Sequence, residues 1–317
     1  MMNASKGKQS SMAETPLAPD DAARLMRLAT NASAAVAMTL ILAKAVAYAQ
    51  TGSMSILASL IDSVMDSGAS LLNLFAVRYA LAPADRKHRF GHGKAESISA
   101  LAQSTLIIVS GIYLLIEAGK RLMTPRELPT LEIGIAVMLF TIVATLALLA
   151  LQHYVIRRTH SAAIRADALH YRTDLLTNSA VILALILAHL GWSGMDPLFA
   201  CGIAIYILLT ARHIMSDALS ELLDRELPED RRQLVRDTAN RHAGVYGVHD
   251  LRTRSSGRVD FIELHLELDG DLSLRQAHRI ADEVTAAIKK EIPGADVVIH
   301  QDPAGLNEIR QEETLAD

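Results

Sequence analysis

The sequence predicts an α-helical membrane protein with six transmembrane helices, followed by a C-terminal α+β domain with a ferredoxin-like αββαβ order. Hydrophobic residues make up 50% of the 317 residues, and the mean hydropathy of +0.23 is high for a soluble globular protein. After residue 223 the apolar stretches give way to the charged, proline-containing segment DRELPEDRRQ. This change in composition indicates a second domain.

Six apolar stretches are long enough to cross about 30 Å of hydrocarbon as α-helices. They lie near residues 23–50, 55–81, 96–120, 130–156, 161–189 and 195–220. An even number of crossings puts both termini on the same side of the membrane.

Lys and Arg residues in the connections predict how these helices are oriented. They concentrate in alternate connections, on one side of the membrane: Arg24, Arg27, Arg86, Lys87, Arg89, Lys94, Arg157, Arg158 and Arg165. Because positively charged loops stay in the cytoplasm, this side and both termini are expected to be cytoplasmic. One connection on the opposite side is an exception, since it carries Lys120, Arg121 and Arg126.

The chain divides into four predicted segments. Residues 1–22 are polar and are predicted to be a disordered tail. They lack the apolar core that a secretory signal needs. Residues 23–223 form the transmembrane domain, and residues 224–303 form the C-terminal domain. Residues 304–317 are predicted to be a second disordered tail.

The C-terminal domain has the hydrophobic pattern of a small sheet with two helices. The predicted order is helix 229–242, strand 245–255, strand 259–268, helix 273–291 and strand 295–301. In the second strand Ile262, Leu264 and Leu266 alternate with polar residues, which predicts one buried face and places His265 on the other. The two helices are expected to cover one face and to leave the other free for a partner.

Charge and cysteine content exclude some functions. The net charge of −4 comes with no basic stripe, which argues against nucleic acid as a partner. The single Cys201 cannot form an intrachain disulfide and is interpreted as a small packing residue. The segment GHGK lacks the spacing of a phosphate-binding loop, so a nucleotide site is rejected.

The second predicted helix carries two carboxylates. Asp62 and Asp66 lie four residues apart, so both are on one face of the helix, one turn from each other. Ionisable groups inside a membrane are costly and mark functional sites. The alternative is that the helix begins later and both residues cap it at the membrane surface.

The fifth predicted helix has a similar pair, His170 and Asp174, again four residues apart. Facing helices would bring three carboxylates and one imidazole together, a four-ligand set suited to zinc and usable by cadmium, iron(II) or manganese. The set contains no thiolate, which makes copper(I) less suitable. The alternative is an ion pair inside the membrane or a solvated helix end, since Arg172 is near in sequence.

Two further groups of candidate ligands lie outside the predicted helices of the membrane domain. Asp85, His88 and His92 follow the second helix at spacings of three and four, although two histidines in a loop can also occur by chance. The C-terminal domain contributes His249, His265, His278, His300, Gln301 and Asp302. These form a metal site only if the fold gathers them, and the alternative is a set of separate surface or packing histidines.

At these positions the chain resembles the cation diffusion facilitator family, in particular its bacterial FieF/YiiP-type zinc and iron transporters. The resemblance covers about residues 23–303. Its most specific segments are LASLIDSVMDSGASLLN, PADRKHRFGHGKAES, RADALHYRTDLLTN, LLDRELP, HDLRTRSSG and VIHQDP.

The resemblance implies a role for each group of candidate ligands. Asp62, Asp66, His170 and Asp174 would form the transport site, and Asp85, His88 and His92 a loop site. The histidines of the C-terminal domain, with Gln301 and Asp302, would form a metal cluster at the interface of a homodimer. Lys94 and Asp224 would form a charge interlock between the two domains. The family has no counterpart for His153, His160, His189, His213 and His242, and these are given no metal role.

The expected function is efflux of a divalent transition-metal ion, with zinc favoured and iron(II) or cadmium as further candidates. Metal ligands must lose their protons to bind, so we expect proton-coupled antiport and no catalytic cofactor. The other partners would be protons, a second copy of the chain and membrane lipid. Two alternatives remain, a membrane-anchored metal-sensing protein without flux and an intramembrane metalloenzyme, although the sequence lacks an H-E-x-x-H motif.

Overall fold

The computed structural model describes residues 19–51, 54–123, 134–189 and 195–305. These residues form eight helices and three strands. In chain order they are α1 (Pro19–Thr51), α2 (Met54–Ala80), α3 (Ala95–Met123), α4 (Gly134–Thr159), α5 (Ala162–His189), α6 (Met195–Leu222), α7 (Glu229–Asn240), β1 (Gly247–Ser256), β2 (Val259–Leu268), α8 (Leu274–Glu291) and β3 (Asp296–Pro303).

Helices α1 to α6 pack into one bundle, in which α5 is the central helix. Helix α1 packs against α2 and α4, α3 packs against α6, and α5 contacts α2, α3, α4 and α6. Two buried clusters lie on either side of α5. Ala163 and Ile164 join the cluster with α1, α2 and α4, whereas Ala166 and Leu169 join the cluster with α3 and α6. Small residues such as these alanines let helices approach closely inside a membrane.

The outer surface of the bundle is apolar. Large hydrophobic side chains such as Phe75, Val109 and Leu209 are exposed on it. Among the described residues, α1, α3, α4 and α6 are long and apolar enough to cross a membrane by length and composition. The other two, α2 and α5, carry the aspartate and histidine pairs. The prediction of a helical membrane domain is confirmed.

The C-terminal domain has the predicted αββαβ order. Its sheet has the strand order β1-β2-β3. Strand β1 pairs with β2 in antiparallel orientation, and β2 pairs with β3 in parallel orientation. Helices α7 and α8 cover one face, where Val235, Ala239, Val284 and Ile288 pack on Ile262, Leu264 and Leu266. As predicted, His265 lies on the opposite face.

Several ends differ from the sequence prediction. Helix α1 begins at Pro19 rather than residue 23, because proline suits the first position of a helix and Asp20 and Asp21 favour its N-terminus. Helix α7 ends at Asn240 rather than residue 242, and the chain turns through His242 before β1 begins at Gly247. The greater part of both predicted tails, residues 1–18 and 306–317, lies outside the described residues.

Candidate metal centre

Helices α2 and α5 bring three of the four candidate transport ligands together. The His170 Nε2 atom is 3.3 Å from an Asp66 carboxylate oxygen and 3.8 Å from an Asp174 carboxylate oxygen. One possible ligand atom from each of the three residues lies within 4.8 Å of the others. The two carboxylates are each 35% exposed and the imidazole 18%, so the site is partly open. A single cation could contact all three side chains.

The fourth candidate ligand, Asp62, lies on α2 one turn before Asp66, and its side chain is outside the described residues. Helix α2 begins at Met54, so both aspartates lie beyond its first turn and neither can cap its N-terminus. Arg172, which could have paired with these carboxylates, donates a hydrogen bond to the Tyr206 hydroxyl of α6 at 3.2 Å. The backbone therefore supports a site inside the bundle, with Asp62 as a predicted ligand.

A buried carboxylate that the sequence analysis overlooked lies next to this site. Asp167 is 0% exposed and accepts hydrogen bonds from the Ser33 hydroxyl at 2.7 Å and the Gln152 amide at 2.8 Å. It precedes His170 by three residues on α5 and is part of the segment ADALHYRTDLL. The signal that could have found it is this spacing, which places both side chains on one face of the helix.

The loop between α2 and α3 holds a second group of ligands. The Asp85 carboxylate accepts the backbone N–H groups of Lys87 and His88 at 2.7 Å and 2.6 Å. The same carboxylate lies 3.3 Å from His88 Nδ1 and 3.4 Å from His92 Nε2. The N–H groups of His88 and Lys87 hold the pKa of Asp85 below its usual value, so the carboxylate is ionised at neutral pH.

His92 differs from its neighbours because its side chain is buried. Its ring packs on Tyr79 at 4.5 Å and on His88 at 4.7 Å between ring centroids. The loop therefore holds its three candidate ligands in one place.

This loop also joins the two domains. Lys94 donates to the Asp224 carboxylate at 2.8 Å, which is the predicted charge interlock. The Arg254 guanidinium lies 4.9 Å from the centroid of Phe90 in the loop and 4.7 Å from that of Phe261 in β2. The hydrogen bond from Lys94, with a smaller contribution from Arg254, lowers the pKa of Asp224.

The open face of the sheet carries the third group. His249, His265 and His300 are in register across β1, β2 and β3. The carboxylate of Asp302 lies 3.4 Å from His249 Nε2, 2.8 Å from His265 Nδ1 and 3.1 Å from His300 Nε2. Three imidazoles around a carboxylate that is only 8% exposed are a ligand set typical of zinc.

Two predicted members of this group lie elsewhere in the single chain. His278 is exposed on α8, where it is 3.6 Å from Asp282. Gln301 pairs with Leu266 and lies on the opposite side of β3 from His300 and Asp302, because successive strand residues point to opposite faces. Any role for these two residues as ligands stays a prediction from the family resemblance.

Comparisons with known proteins match nearly the whole chain. A family model described as the cation efflux transmembrane domain matches residues 31–223, and one described as the cation efflux protein cytoplasmic domain matches residues 227–304. The cation-efflux pump FieF of Escherichia fergusonii is 49% identical over 283 residues, which cover 89% of this chain and 94% of that protein. The pump of the same name from Pectobacterium atrosepticum is 48% identical, with the same coverage.

Among solved structures, a metal-bound C-terminal domain of the CzcD transporter from Thermotoga maritima is 30% identical to the corresponding part of this chain. The match covers 25% of this chain and 93% of that domain, with a TM-score of 0.24.

Proposed function

Because the chain belongs to the cation efflux family, we propose that it exports a divalent transition-metal ion, with zinc as the best single candidate. The resemblance seen in the sequence is confirmed by the family models and by the curated relatives. The chain is a cation efflux transporter rather than an enzyme, since these relatives are named efflux pumps.

The observation that carries the proposal is the cluster of Asp66, His170 and Asp174 between α2 and α5. With Asp62 one turn away on α2, the set would offer three carboxylates and one imidazole. Oxygen and nitrogen ligands in a compact four-coordinate site suit zinc, and also accept iron(II) or cadmium. Calcium and magnesium prefer more oxygen ligands or retain several waters, so they fit this set less well.

The same ligands account for coupling to protons. Imidazole and carboxylate must be deprotonated to bind a metal, so metal binding releases protons and protons favour metal release. The ion would enter from the cytoplasm, bind the four ligands, and leave on the far side as protons replace it. This cycle is antiport by alternating access. Both termini would be cytoplasmic in an inner membrane, which agrees with the Lys and Arg distribution.

The other two clusters suit a supporting role. The open face of the sheet presents His249, His265, His300 and Asp302 away from the helices of the same domain. A second copy of the chain could pack on this face, and His278 and Gln301 would then add ligands at the homodimer interface. The loop site of Asp85, His88 and His92 lies where both domains meet, and could bind a further ion.

Flux through the membrane would separate transport from a metal-sensing role without flux. We would measure zinc uptake into proteoliposomes with and without a pH gradient for the wild type, Asp66→Ala and His170→Ala. Loss of uptake in both variants, with wild-type uptake that depends on the gradient, is the expected result. The same assay with cadmium, iron(II) and manganese would rank the substrates.

His213→Ala is the matched control. His213 is an exposed histidine of α6, and its ion pair in the described part of the chain is with Asp217, which is not a candidate ligand. It should transport zinc at the wild-type rate. Wild-type rates in both Asp66→Ala and His170→Ala would exclude the proposed transport site. No flux in the wild type, with zinc still bound, would favour the sensing role.

A further inference from the structure

Asp167 has the surroundings of a neutral acid rather than of a carboxylate. It is completely buried on α5, and the residues facing it from α1, α2 and α4 are Ser33, Asn73 and Gln152. None of these three side chains carries a charge. Within the described parts of the chain, the ion pairs of the bundle include Arg165 with Asp217 but none with Asp167.

Among the residues whose side chains the structure describes, the titratable groups that interact with Asp167 are on its own helix. His170 lies one turn further along α5, and Tyr171 follows it. A buried carboxylate without a cationic partner is strongly destabilising, so such a group takes up a proton or gains a positive charge nearby. In Asp167 the choice between these states depends on what occupies the neighbouring metal site.

The hydrogen bonds around Asp167 leave room for its proton. One of its carboxylate oxygens accepts from Ser33 and Gln152, and the other, Oδ1, is buried without a partner. The amide oxygens of Asn73 and Gln152 are also buried without a donor, and the Asn73 amide nitrogen is buried without an acceptor. A protonated carboxyl offers one O–H donor, which is what these acceptors lack. A proton on Asp167 would therefore give one of these buried acceptors a donor that the ionised carboxylate cannot supply.

We propose that Asp167 is a proton-binding site, separate from the metal ligands, which releases its proton when a metal ion binds to Asp66, His170 and Asp174. The inference rests on the proposed function, since it assigns one of the exchanged protons to a residue that does not ligate the ion. A divalent cation one helical turn away stabilises the carboxylate, and by reciprocity a proton on Asp167 weakens metal binding.

A row of hydroxyl groups runs from this carboxyl toward α2 and α5, the two helices that carry the metal ligands. Ser33 lies 2.7 Å from Asp167 and 3.4 Å from the Ser70 hydroxyl, and Ser70 lies 2.9 Å from the Tyr171 hydroxyl. Ser70 follows Asp66 by one turn of α2. When metal binds, the O–H bond of Asp167 breaks, the carboxylate remains, and the proton passes along these hydroxyls toward water at the site.

Counting the protons released on zinc binding tests the proposal. The full chain with Asp85→Asn and Asp302→Asn, which weaken the other two clusters, would be titrated with zinc in weakly buffered detergent solution. Adding Asp167→Asn keeps a hydrogen-bonding side chain but removes the proton. We expect zinc still to bind, the protons released per ion to fall by about one, and the slope of log Kd against pH to fall by about one.

Asp217→Asn is the matched control, because it makes the same substitution at a carboxylate of α6 that pairs with Arg165 and belongs to neither the metal site nor the proton path. It should release as many protons as the parent. Infrared difference spectra of the wild type provide a measurement that does not need the Asn variant to fold. Zinc binding should remove a protonated carboxyl band, and Asp167→Glu should shift that band.

Unchanged proton release and an unchanged slope in Asp167→Asn would overturn the proposal. A lower melting temperature with the same proton count would also overturn it, because Asp167 would then have only a structural role. The absence of a carboxyl band that responds to zinc would overturn it too. Failure of the proposed antiport looks different, because the parent protein itself would then release no protons or its flux would ignore the pH gradient.

Discussion

Aspartate side chains in this chain differ in what surrounds them, and the surroundings decide what each can do. Asp66 and Asp174 are partly exposed around His170, as the proposed exchange of a cation with water requires. Asp85 is held ionised by backbone N–H groups of its own loop. Asp167 is enclosed by neutral side chains. The same residue type therefore suits a metal ligand, a loop ligand and a proton carrier.

Gly93 lies where the loop between α2 and α3 approaches the C-terminal domain closely. A Cβ atom at this position would collide with the Ser256 carbonyl oxygen at the end of β1, where the turn to β2 begins. Gly93→Ala should push this turn away from the loop and lower the free energy of unfolding by about 1–3 kcal/mol. Thermal unfolding in detergent would measure the loss.

Gly119→Ala is the control for the glycine substitution. Gly119 lies in α3, and a Cβ atom there would meet nothing within 4 Å. Alanine favours a helix over glycine, so this variant should melt at or above the wild-type temperature. Equal stability of Gly93→Ala and the wild type would show that the turn can move away without loss.

At the scale of elements, the position of α5 explains why its residues form the site. The helix buries Ala163 and Ile164 on one side and Ala166 and Leu169 on the other, so it is held between the two halves of the bundle. His170 is placed by this packing against Asp66 of α2. Ligands on a helix packed on two sides are positioned more rigidly than ligands on a loop.

The sheet supports a prediction about metal and stability. Asp302 contacts imidazoles from all three strands, so a metal bound there would join β1, β2 and β3. Zinc at a hundredfold excess over Kd should add about 2.7 kcal/mol to the free energy of unfolding of this domain. Asp302→Asn should lose most of this increase, as measured by the melting temperature of the full chain with and without zinc.

Asp296→Asn provides the matched control, because Asp296 lies at the other end of β3 and is exposed. Its melting temperature should rise with zinc as in the wild type. A full zinc response in Asp302→Asn would mean that this carboxylate is not a ligand.

For the whole molecule, the contact between Lys94 and Asp224 predicts how acid affects the domain arrangement. Because Lys94 lowers the pKa of Asp224, the folded pKa lies below the value of about 3.9 that is usual for aspartate. The ionised Asp224 therefore stabilises the folded protein fully at pH values above its usual pKa. This stabilisation is lost as the pH falls through the lowered pKa of the folded state. The contact between Lys94 and Asp224 should therefore hold the domain spacing from pH 7 to about pH 4 and weaken only in stronger acid.

Spin labels at the exposed residues Arg86 and Leu274 would measure this spacing in a Cys201→Ser background. In Asp224→Asn the distance between the two labels should already be longer or more broadly distributed at pH 7. Acid should then cause no further change through this contact, because the variant has no carboxylate to protonate. A wild type whose domains separate between pH 7 and pH 5 would contradict the prediction, since Asp224 remains ionised there.

Much of the fold could be predicted because it depends on local patterns. The alternation of Ile262, Leu264 and Leu266 predicted the buried face of β2, and runs of apolar residues predicted the helices of the bundle. Spacing of four placed Asp62 beside Asp66 and His170 beside Asp174 on their helices. Helix ends were predicted less closely, because a first residue such as Pro19 depends on capping rather than on hydropathy.

The sequence by itself determined the two domains, the order of their elements and the residue types available to bind a metal, since these depend on hydrophobic period and side-chain chemistry. Only the tertiary structure decided which side chains meet. It gathered His249, His265 and His300 across three strands, left His278 apart within the single chain, and enclosed Asp167 among neutral partners from other helices. The reason is that burial and contacts between distant segments are set by the packing of whole elements, which local spacing does not encode.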